Sequence, residues 1–357
     1  MVTPDNFFSE SFDSAKYKFI SYINKLNNWD IEDINNDTTI ATYKHPTSKR
    51  WIIITSGIHG VEGYTGSAIQ CSILDYIKCY NDTIEIKHNI MLIHAINPFG
   101  MKYYQRNNSN NVDLNRNCII DSQIFENKIN QMEQPFIVDK LINPINYLEY
   151  YLMPIFFIFA LLIYGLGYCT RAVVSGQYKN QLNMFFGGNY YQDEIKNLFS
   201  TIGKYFNNES EIIHVDIHTG YGKYLNEYIM VDTRNDKDKI EKIIGYKQFY
   251  VNNEQEHYKY QKGSLVSGFV YLLNEYSDCK IEIENYTGMI QEFGTVNYNN
   301  IPIFFALRKN NFLRRIRPYQ INIDKNIYEL FNPKTLEYQI NAISSGTKLA
   351  INLISKN

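Results

Sequence analysis

A histidine and a glutamate three residues apart, His59 and Glu62, form the pair in this sequence best suited to hold a metal ion. They lie in the segment GIHGVEGYTG, whose glycines allow the backbone to turn sharply. On one helical turn, or in a tight loop, the imidazole and the carboxylate can face the same point. Catalytic zinc sites commonly use two His and one Glu, and leave a fourth position for water. The pair therefore predicts a zinc site that needs one more histidine.

The second histidine is predicted at the end of a later strand, EIIHVDIHTGYG. Alternation along a strand puts His214, Asp216 and His218 on one face. His218 comes last, where a glycine turn ends the strand, and ligands in open α/β sheets bind beyond the carboxyl ends of strands. We therefore predict His218 as the third ligand of one zinc ion. His214, deeper in the strand, is predicted to be a satisfied core or surface histidine, and Asp216 either orients a ligand or supports the loop.

A further carboxylate, Glu292, follows in the segment KIEIENYTGMIQEFGT. It comes after an apolar run and before a glycine, so we expect it at another strand end. A carboxylate beside zinc-activated water can act as a general base, and we assign this role to Glu292. Glu282 and Glu284 alternate with isoleucines, which predicts the polar face of a strand.

Fixed positive charge follows the strand IMLIHAINP, in a loop rich in asparagine. Arg106, Asn115 and Arg116 lie in this loop. The planar fork of arginine can clamp a carboxylate or steady a developing oxyanion. Solvated loop arginines are the simpler interpretation of such a segment, but the nearby zinc motif favours a functional one.

The elements around these residues predict an α/β fold. WIIIT is a strand, SAIQCSILDYIKCY has helical spacing, and IMLIHAINP is a second strand. Strand, helix and strand in succession imply a mixed, mostly parallel, twisted sheet covered by helices on both faces. A helix before residue 28, a first strand TTIATYKH and a closing helix near the end complete the expectation of one catalytic domain, 1–357, with a helical insertion at about 119–200.

The segment 152–169, within the insertion, is apolar, uncharged and long enough to cross a membrane. A crossing would put His59 and Glu62 on the other side from the candidate residues after 210, and Pro154, Gly165 and Gly167 interrupt it. We expect a helix buried against the core. An interfacial anchor with peripheral membrane contact remains the alternative.

Composition excludes some partners. The 357 residues are 45% hydrophobic, and 35 basic against 37 acidic residues give a net charge of −2, so bulk charge does not favour nucleic acid. Five cysteines without a CxxC motif favour a reducing compartment. The N-terminal segment has no secretory signal pattern. We therefore expect a cytoplasmic protein.

The blocks HGVEG, DLNRN, DIHTG and EFGT, in this order over about 40–310, resemble the zinc carboxypeptidase superfamily, which is related to carboxypeptidase A and includes the aspartoacylase and succinylglutamate desuccinylase branch. The combination of HxxE, NR, H and E is specific. The resemblance implies a zinc carboxypeptidase-like fold and a role for each matching residue. The zinc ligands would be His59, Glu62 and His218; the oxyanion group Arg106; the carboxylate clamp Asn115 and Arg116; the base Glu292; and the mobile capping tyrosine Tyr260.

The implied activity is zinc-dependent hydrolysis of an amide bond next to a free carboxylate. The substrate would be a peptide that loses its C-terminal amino acid, as in a metallocarboxypeptidase. An N-acyl amino acid deacylase needs the same parts and differs in its acyl pocket. A catalytically silent binding or membrane-associated protein on the same fold is the alternative from another class. The insertion departs from digestive members of the superfamily.

Overall fold

The computed structural model of the chain describes residues 4–35, 37–80, 83–122, 125, 135–142, 147–231, 237–244, 250–251, 263–297, 301–317 and 325–356. Within these ranges the strands are β1 (Trp29–Ile34), β2 (Thr38–Tyr43), β3 (Arg50–Ser56), β4 (Asn89–His94), β5 (Glu211–Thr219), β6 (Glu227–Val231), β7 (Tyr250–Val251) and β8 (Tyr286–Phe293). They form one sheet in the order β1-β2-β4-β3-β5-β8-β6-β7. The central strands β4, β3, β5 and β8 are parallel. The pairs β1–β2, β2–β4 and β6–β8 are antiparallel, whereas β6 and β7 are parallel. The predicted mixed, mostly parallel sheet is confirmed.

The helices in the described part of the chain are α1 (Phe12–Ile23), α2 (Gly63–Cys79), α3 (Pro98–Lys102), α4 (Phe136–Ile142), α5 (Tyr147–Val174), α6 (Asp193–Ile202), α7 (Lys237–Ile244), α8 (Leu265–Tyr276), α9 (Ile301–Ile316), α10 (Lys325–Phe331) and α11 (Leu336–Ser355). The predicted N-terminal and closing helices are α1 and α11. α4, α5 and most of α6 lie in the region predicted as a helical insertion.

Helices cover both faces of the sheet, as the sequence predicts. On one face Ile52 and Ile54 of β3 pack in a core with apolar residues of α1, α2 and α11. On the other face, Trp51 and Ile53 pack in a core with residues of α6 and α8. Neighbouring residues of one strand enter different cores because side chains alternate across a strand. The apolar runs of the central strands are therefore buried on both sides.

Two local predictions were wrong. The first strand is β1, not the segment TTIATYKH, which forms β2. The KIEIE alternation does not make a strand either, because Ile283–Asn285 forms a 3₁₀ turn and β8 begins only at Tyr286. Glu282 and Glu284 are exposed in and beside this turn. A strand needs a partner strand as well as an alternating sequence. Here the pairing with β5 starts only at Tyr286, which lies opposite Ile212.

The helix α5 contradicts the expectation that segment 152–169 is buried against the core. One stripe, including Met153 and Ala160, is buried against α4, α9 and α10. Most of the other described side chains are partly buried or exposed, and only 17% of the most apolar window within Tyr151–Val173 is buried. In the described residues this is one helix long and apolar enough to cross a membrane, by length and composition only. Gly165, with φ 76° and ψ 161°, interrupts its helical backbone.

Candidate metal centre

The first two candidate ligands lie where the chain leaves β3. Gly57 has a φ of +68°, a conformation that favours glycine. His59 then precedes a 3₁₀ turn, Gly60–Glu62, that leads directly into α2. A Cβ at Gly60 would lie 2.1 Å from the backbone of Gly100, so only glycine fits between this turn and α3. The turn that carries the ligands is therefore fixed by close packing.

The other two candidates come from neighbouring parallel strands. β5 lies beside β3, and β8 lies beside β5. In this register His218 stands opposite Glu292, each next to the last residue of its strand. Because the carboxyl ends of these strands meet at one edge of the sheet, both side chains reach the turn that carries His59.

Three side chains converge at this edge. His59 Nδ1 lies 2.9 Å from Glu62 Oε1, His218 Nδ1 lies 3.1 Å from Glu62 Oε2, and the two Nδ1 atoms are 3.2 Å apart. All three residues are buried and form a group that could hold a metal ion. Atoms bound to one tetrahedral zinc ion at about 2.0–2.1 Å would be about 3.3 Å apart. The donor set and its spacing therefore fit zinc.

Each histidine has a carboxylate at its other ring nitrogen. His218 Nε2 lies 2.6 Å from Asp216 Oδ2, and His59 Nε2 lies 3.3 Å from Asp113 Oδ1. A carboxylate accepts a proton on Nε2 and leaves the lone pair of Nδ1 for a metal, which is the usual arrangement behind zinc-ligating histidines. Asp216 thus stands where it orients a ligand, and Thr55 Oγ1 donates to it at 2.6 Å.

Sequence reasoning missed Asp113. Its carboxylate accepts from the backbone N–H of Asn115 and lies 2.9 Å from Arg106 Nε, so it holds the asparagine-rich loop against the ligand turn. The signal was present: Asp113 is the acidic residue of the DLNRN block, two positions before Asn115.

The electrostatics of the cluster favour a cation. Burial alone would raise the pKa of Glu62, but the facing imidazoles of His59 and His218 hold it well below its usual value. Burial would likewise lower the pKa of His218, yet Asp216 and Glu62 raise it well above the ordinary value. Glu62 therefore stays ionised, and its charge creates a negative potential at the point where the ligand atoms meet. The same potential attracts a metal ion.

Glu292 is buried beside the cluster but is not one of the three converging ligands. Burial, followed by repulsion from Glu62, raises the pKa of Glu292 to about 8. The backbone N–H of Tyr221 donates to its Oε1 at 2.9 Å and fixes the carboxyl group. A carboxyl group with a pKa near neutrality is suited to take up and release a proton at the working pH.

Arg106 bridges the loop and the ligand turn. Its Nη1 donates to Glu62 Oε1 at 3.3 Å, and its Nη2 lies 2.6 Å from His59 Nε2. Its Cζ lies over the ring of Phe185, 5.3 Å from the ring centre. Burial would lower its pKa, but the carboxylates of Asp113 and Glu62 raise it. The guanidinium is therefore a fixed positive charge at the edge of the cluster.

Asn115 and Arg116 are buried on the short 3₁₀ turn Leu114–Arg116. The backbone N–H of Leu265 donates to Asn115 Oδ1 at 2.8 Å, so the amide nitrogen is the group Asn115 can offer to a ligand. A Cβ at Gly176 would lie 2.9 Å from Arg116 Cδ. The chain that follows α5 therefore packs closely on Arg116, and the insertion helps to position this residue.

One cavity of about 670 Å³ collects these groups. Seven predicted site residues line it: His59, Glu62, Arg106, Asn115, Arg116, His218 and Glu292. The eighth, Tyr260, lies outside the described residues. The chain resumes at Gly263, where a Cβ would lie 2.4 Å from the carbonyl oxygen of Arg116. The structure thus brings the seven residues together, while their individual roles remain predictions.

His214 is a core histidine; the sequence had left a core and a surface position open. Its Nε2 lies 2.9 Å from Thr55 Oγ1 and its Nδ1 lies 2.9 Å from the hydroxyl of Tyr286. Burial lowers its pKa to about 4, so the ring is neutral. Both ring nitrogens are occupied by neutral partners, which leaves none for a metal.

A family profile described as "Protein of unknown function (DUF2817)" matches residues 8–345. The chain belongs to the DUF2817 family. No curated protein shows significant sequence similarity to it. The fold of this DUF2817 chain is similar to that of solved structures that share little sequence with it.

The structure of thrombin-activatable fibrinolysis inhibitor is 11% identical, with a TM-score of 0.50 over 97% of this chain and 75% of that chain. The bovine form of that protein, in complex with tick carboxypeptidase inhibitor, is 11% identical, with a TM-score of 0.48 over 96% and 98% of the two chains. A Shewanella frigidimarina protein assigned to the succinylglutamate desuccinylase/aspartoacylase group is 11% identical, with a TM-score of 0.36 over 83% and 73%. At these identities the likeness concerns the fold alone.

Proposed function

We propose that the protein is a zinc-dependent hydrolase that cleaves an amide bond next to a free carboxylate. The observation that carries the proposal is the convergence of His59, Glu62 and His218 within 4.8 Å at the wall of a cavity that Glu292 also lines. His59, Glu62 and His218 would hold the zinc ion, whose chemistry when bound is that of a Lewis acid that activates water and polarises a carbonyl.

The remaining residues supply the proton transfers and the charge. Glu292 takes the proton of the attacking water and then delivers it to the nitrogen that leaves. The guanidinium of Arg106 stabilises the negative charge that develops on the carbonyl oxygen. Asn115 and Arg116 bind the carboxylate next to the scissile bond, and so fix which bond meets Glu292.

Two activities use this arrangement. The Asn115–Arg116 pair suits a carboxypeptidase and a deacylase alike, since a peptide and an N-acyl amino acid both carry a free carboxylate next to the scissile amide bond. A deacylase for N-acyl amino acids is favoured by the other walls of the cavity, where Phe157, Leu166 and Leu307 offer apolar surface to an acyl group.

Activity assays with the zinc-loaded protein separate these candidates. We expect hydrolysis of N-blocked dipeptides or of N-acyl amino acids, and its loss when a chelator removes the metal. The ratio of the two rates decides between peptidase and deacylase. Full activity after complete metal removal would contradict the proposal in both forms, as would inertness of the zinc-loaded protein towards both substrate classes.

Replacing Arg116 by lysine tests the carboxylate clamp. Lysine keeps the charge but lacks the planar fork that makes two parallel hydrogen bonds. We expect kcat/KM for free-acid substrates to fall on the order of tenfold or more, while C-terminally amidated substrates, already poor, hardly change. Equal cleavage of amidated and free-acid substrates by the unmodified protein would remove the clamp from the proposal.

A further inference from the structure

The helix α5 presents large apolar side chains to solvent. Opposite the stripe that packs on α4, α9 and α10, it exposes residues that we call the exposed apolar face of α5: Leu148, Tyr151, Leu152, Ile155, Ile158, Phe159, Leu162, Ile163 and Leu166. Leu162 is 76% exposed, and Ile158 is 57% exposed. Scattered exposed apolar residues are ordinary, but a continuous face of this size marks an interaction surface.

The chemistry of this face fits lipid better than another protein. From 150 to 170 the sequence contains no charged residue; Glu149 and Arg171 bound the segment. Protein interfaces carry about one hydrogen bond per 100–200 Å² and a polar rim, whereas the middle of this face offers only hydrocarbon. Tyr151, which is 74% exposed, adds to this face an aromatic ring with a polar hydroxyl group, the kind of side chain that is enriched at the boundary between lipid and water.

The helix lies along the surface of the protein instead of leaving it. Met153, Ala160, Cys169 and Ala172 are buried over the length of the helix, in one cluster with residues of α9 and α10. The non-helical backbone at Gly165 breaks the straight run that a simple span requires. These contacts suit a helix that rests in the plane of the lipid surface, with one side on the protein and the other in the acyl region.

The exposed face continues into the cavity that holds the metal ligands. Leu166 belongs to both, since it is 48% exposed and also lines the cavity. Beyond it Val173 lines the same cavity, and Leu307 of α9 lines it as well. At Gly167 an added Cβ would meet only the side chain of Arg171, at 3.7 Å, so space is open where the face enters the cavity. An apolar path therefore runs from the surface towards Glu292.

We infer that the exposed apolar face of α5 docks on a lipid surface, and that the site takes N-acyl amino acids with a long hydrocarbon chain from that surface. The carboxylate of the amino acid binds at Asn115 and Arg116, and the chain lies along α5 and α9. Water oxygen forms a bond to the acyl carbon, the carbon–nitrogen bond breaks, and Glu292 returns the proton of the water to the amine. A fatty acid and a free amino acid leave. The substrate half of this inference rests on the proposed function, whereas docking does not.

Co-flotation of the full chain with vesicles of dioleoylphosphatidylcholine tests docking. We expect the unmodified protein to float with the vesicles and the double variant Ile158→Glu/Leu162→Glu to stay behind, with binding reduced on the order of tenfold or more. The matched control is Leu336→Glu/Ile340→Glu on α11. Its two positions are also one helical turn apart and similarly exposed, at 62% and 51%. The control should float like the unmodified protein.

Hydrolysis assays test the substrate. We expect N-dodecanoyl amino acids in vesicles to be cleaved with a higher kcat/KM than the N-acetyl compounds. Ile158→Glu/Leu162→Glu should lose this advantage and keep the N-acetyl activity. Gly167→Trp, which narrows the path without touching the exposed face, should float normally but show a lower ratio of long-chain to short-chain cleavage.

The two halves fail differently. Equal kcat/KM for long and short chains, or no effect of Gly167→Trp on their ratio, would overturn the substrate assignment while leaving the hydrolase proposal in place. No cleavage of any amide by the zinc-loaded protein would defeat the proposed function, and flotation would still report on docking. Failure of the unmodified protein to float would overturn docking. So would a dimer in size-exclusion chromatography that the Ile158→Glu/Leu162→Glu variant dissociates without vesicle binding, because a second copy would then cover the face.

Discussion

The ligand cluster and α5 differ in which kind of side chain they bury and which kind they expose to solvent. Around His59, Glu62 and His218, charged groups are buried and answered by partners at 2.6 to 3.3 Å. Along one side of α5, large apolar groups are exposed, and the part of the chain that the structure describes does not cover them. Buried charge is costly unless paired, and exposed hydrocarbon is costly unless covered. In the ligand cluster, partners within the chain offset the free-energy cost of burying charge. The exposed side of α5 needs a binding partner or a lipid surface to cover it.

The largest expected effect in the described site comes from breaking the ligand cluster. His218→Gln should remove most bound zinc and nearly all amide hydrolysis, because one of three ligand atoms is lost. Asp216→Asn, which only weakens the hold on His218, should lower zinc affinity by about 10–100-fold. Elemental analysis of the purified variants measures the zinc content of each and shows which change costs more zinc.

The control for this series is His214→Gln, the same change on the same strand, four residues away. It should retain zinc, because neither nitrogen of His214 faces the cluster. Vesicle flotation should be the same for all three variants if the two regions are independent. Stoichiometric zinc in His218→Gln would contradict the assignment of the ligands.

A second change separates proton transfer from metal binding. Glu292→Gln keeps the shape of the side chain and removes its ability to take a proton. We expect zinc content to be unchanged and kcat to fall about 100-fold or more, since general acid–base catalysis is typically worth 10²–10⁴. Steady-state kinetics with the preferred amide substrate measure the effect.

Glu284→Gln is the matched control, because the same change is made at an exposed carboxylate outside the cavity. It should leave kcat nearly unaltered. Glu292 would lose its role as base if Glu292→Gln worked at the normal rate, or if it lost zinc as His218→Gln is expected to do.

The smallest expected effect is on stability and concerns His214. Burial lowers the pKa of this side chain to about 4, from an ordinary value of 6.5. The fold thus favours the neutral ring. Its contribution to stability is complete above about pH 6.5 and is lost as the pH falls from there towards 4, because the unfolded chain takes up the proton first.

Thermal unfolding at pH 7.5 and pH 5.0 measures this difference. The unmodified protein should lose more of its Tm between these values than His214→Gln, in which the titrating group is absent. An equal loss of Tm in both proteins would mean that the fold does not hold His214 neutral. The contrast between the buried polar groups around the ligand cluster and the exposed apolar face of α5 would then be weaker.

The sequence predicted the ligand cluster better than its surroundings, for a physical reason. Only a few residue types bind zinc, and the strand and turn patterns around His59 and His218 were strong enough to place both at strand ends. β1 was missed because only some of its side chains are partly buried and none fully, so WDIEDI carries little apolar signal. Asp113 was missed because a carboxylate in a polar loop is unremarkable until the fold brings it to His59.

The burial of α5 was the expectation that failed, and the reason is general. An apolar run predicts that hydrocarbon will leave water, but it does not say what will replace the water. For β3 the replacement is two layers of helices. For α5 the described chain supplies a cover on one side only, and no pattern in 152–169 distinguishes this case from a core helix.

The contact between Arg106 and His59 has a consequence for which groups hold the arginine. Nε2 of His59 lies 2.6 Å from Arg106 Nη2 and 3.3 Å from Asp113 Oδ1. A guanidinium can only donate and a carboxylate can only accept, so one tautomer of the ring suits only one of these neighbours. A metal on Nδ1 leaves the proton on Nε2, which favours Asp113 and repels the guanidinium. Arg106 would then be held by Asp113 Oδ2 and Glu62 Oε1, so the carboxylates beside the ligands would set the place of the charge assigned to the oxyanion.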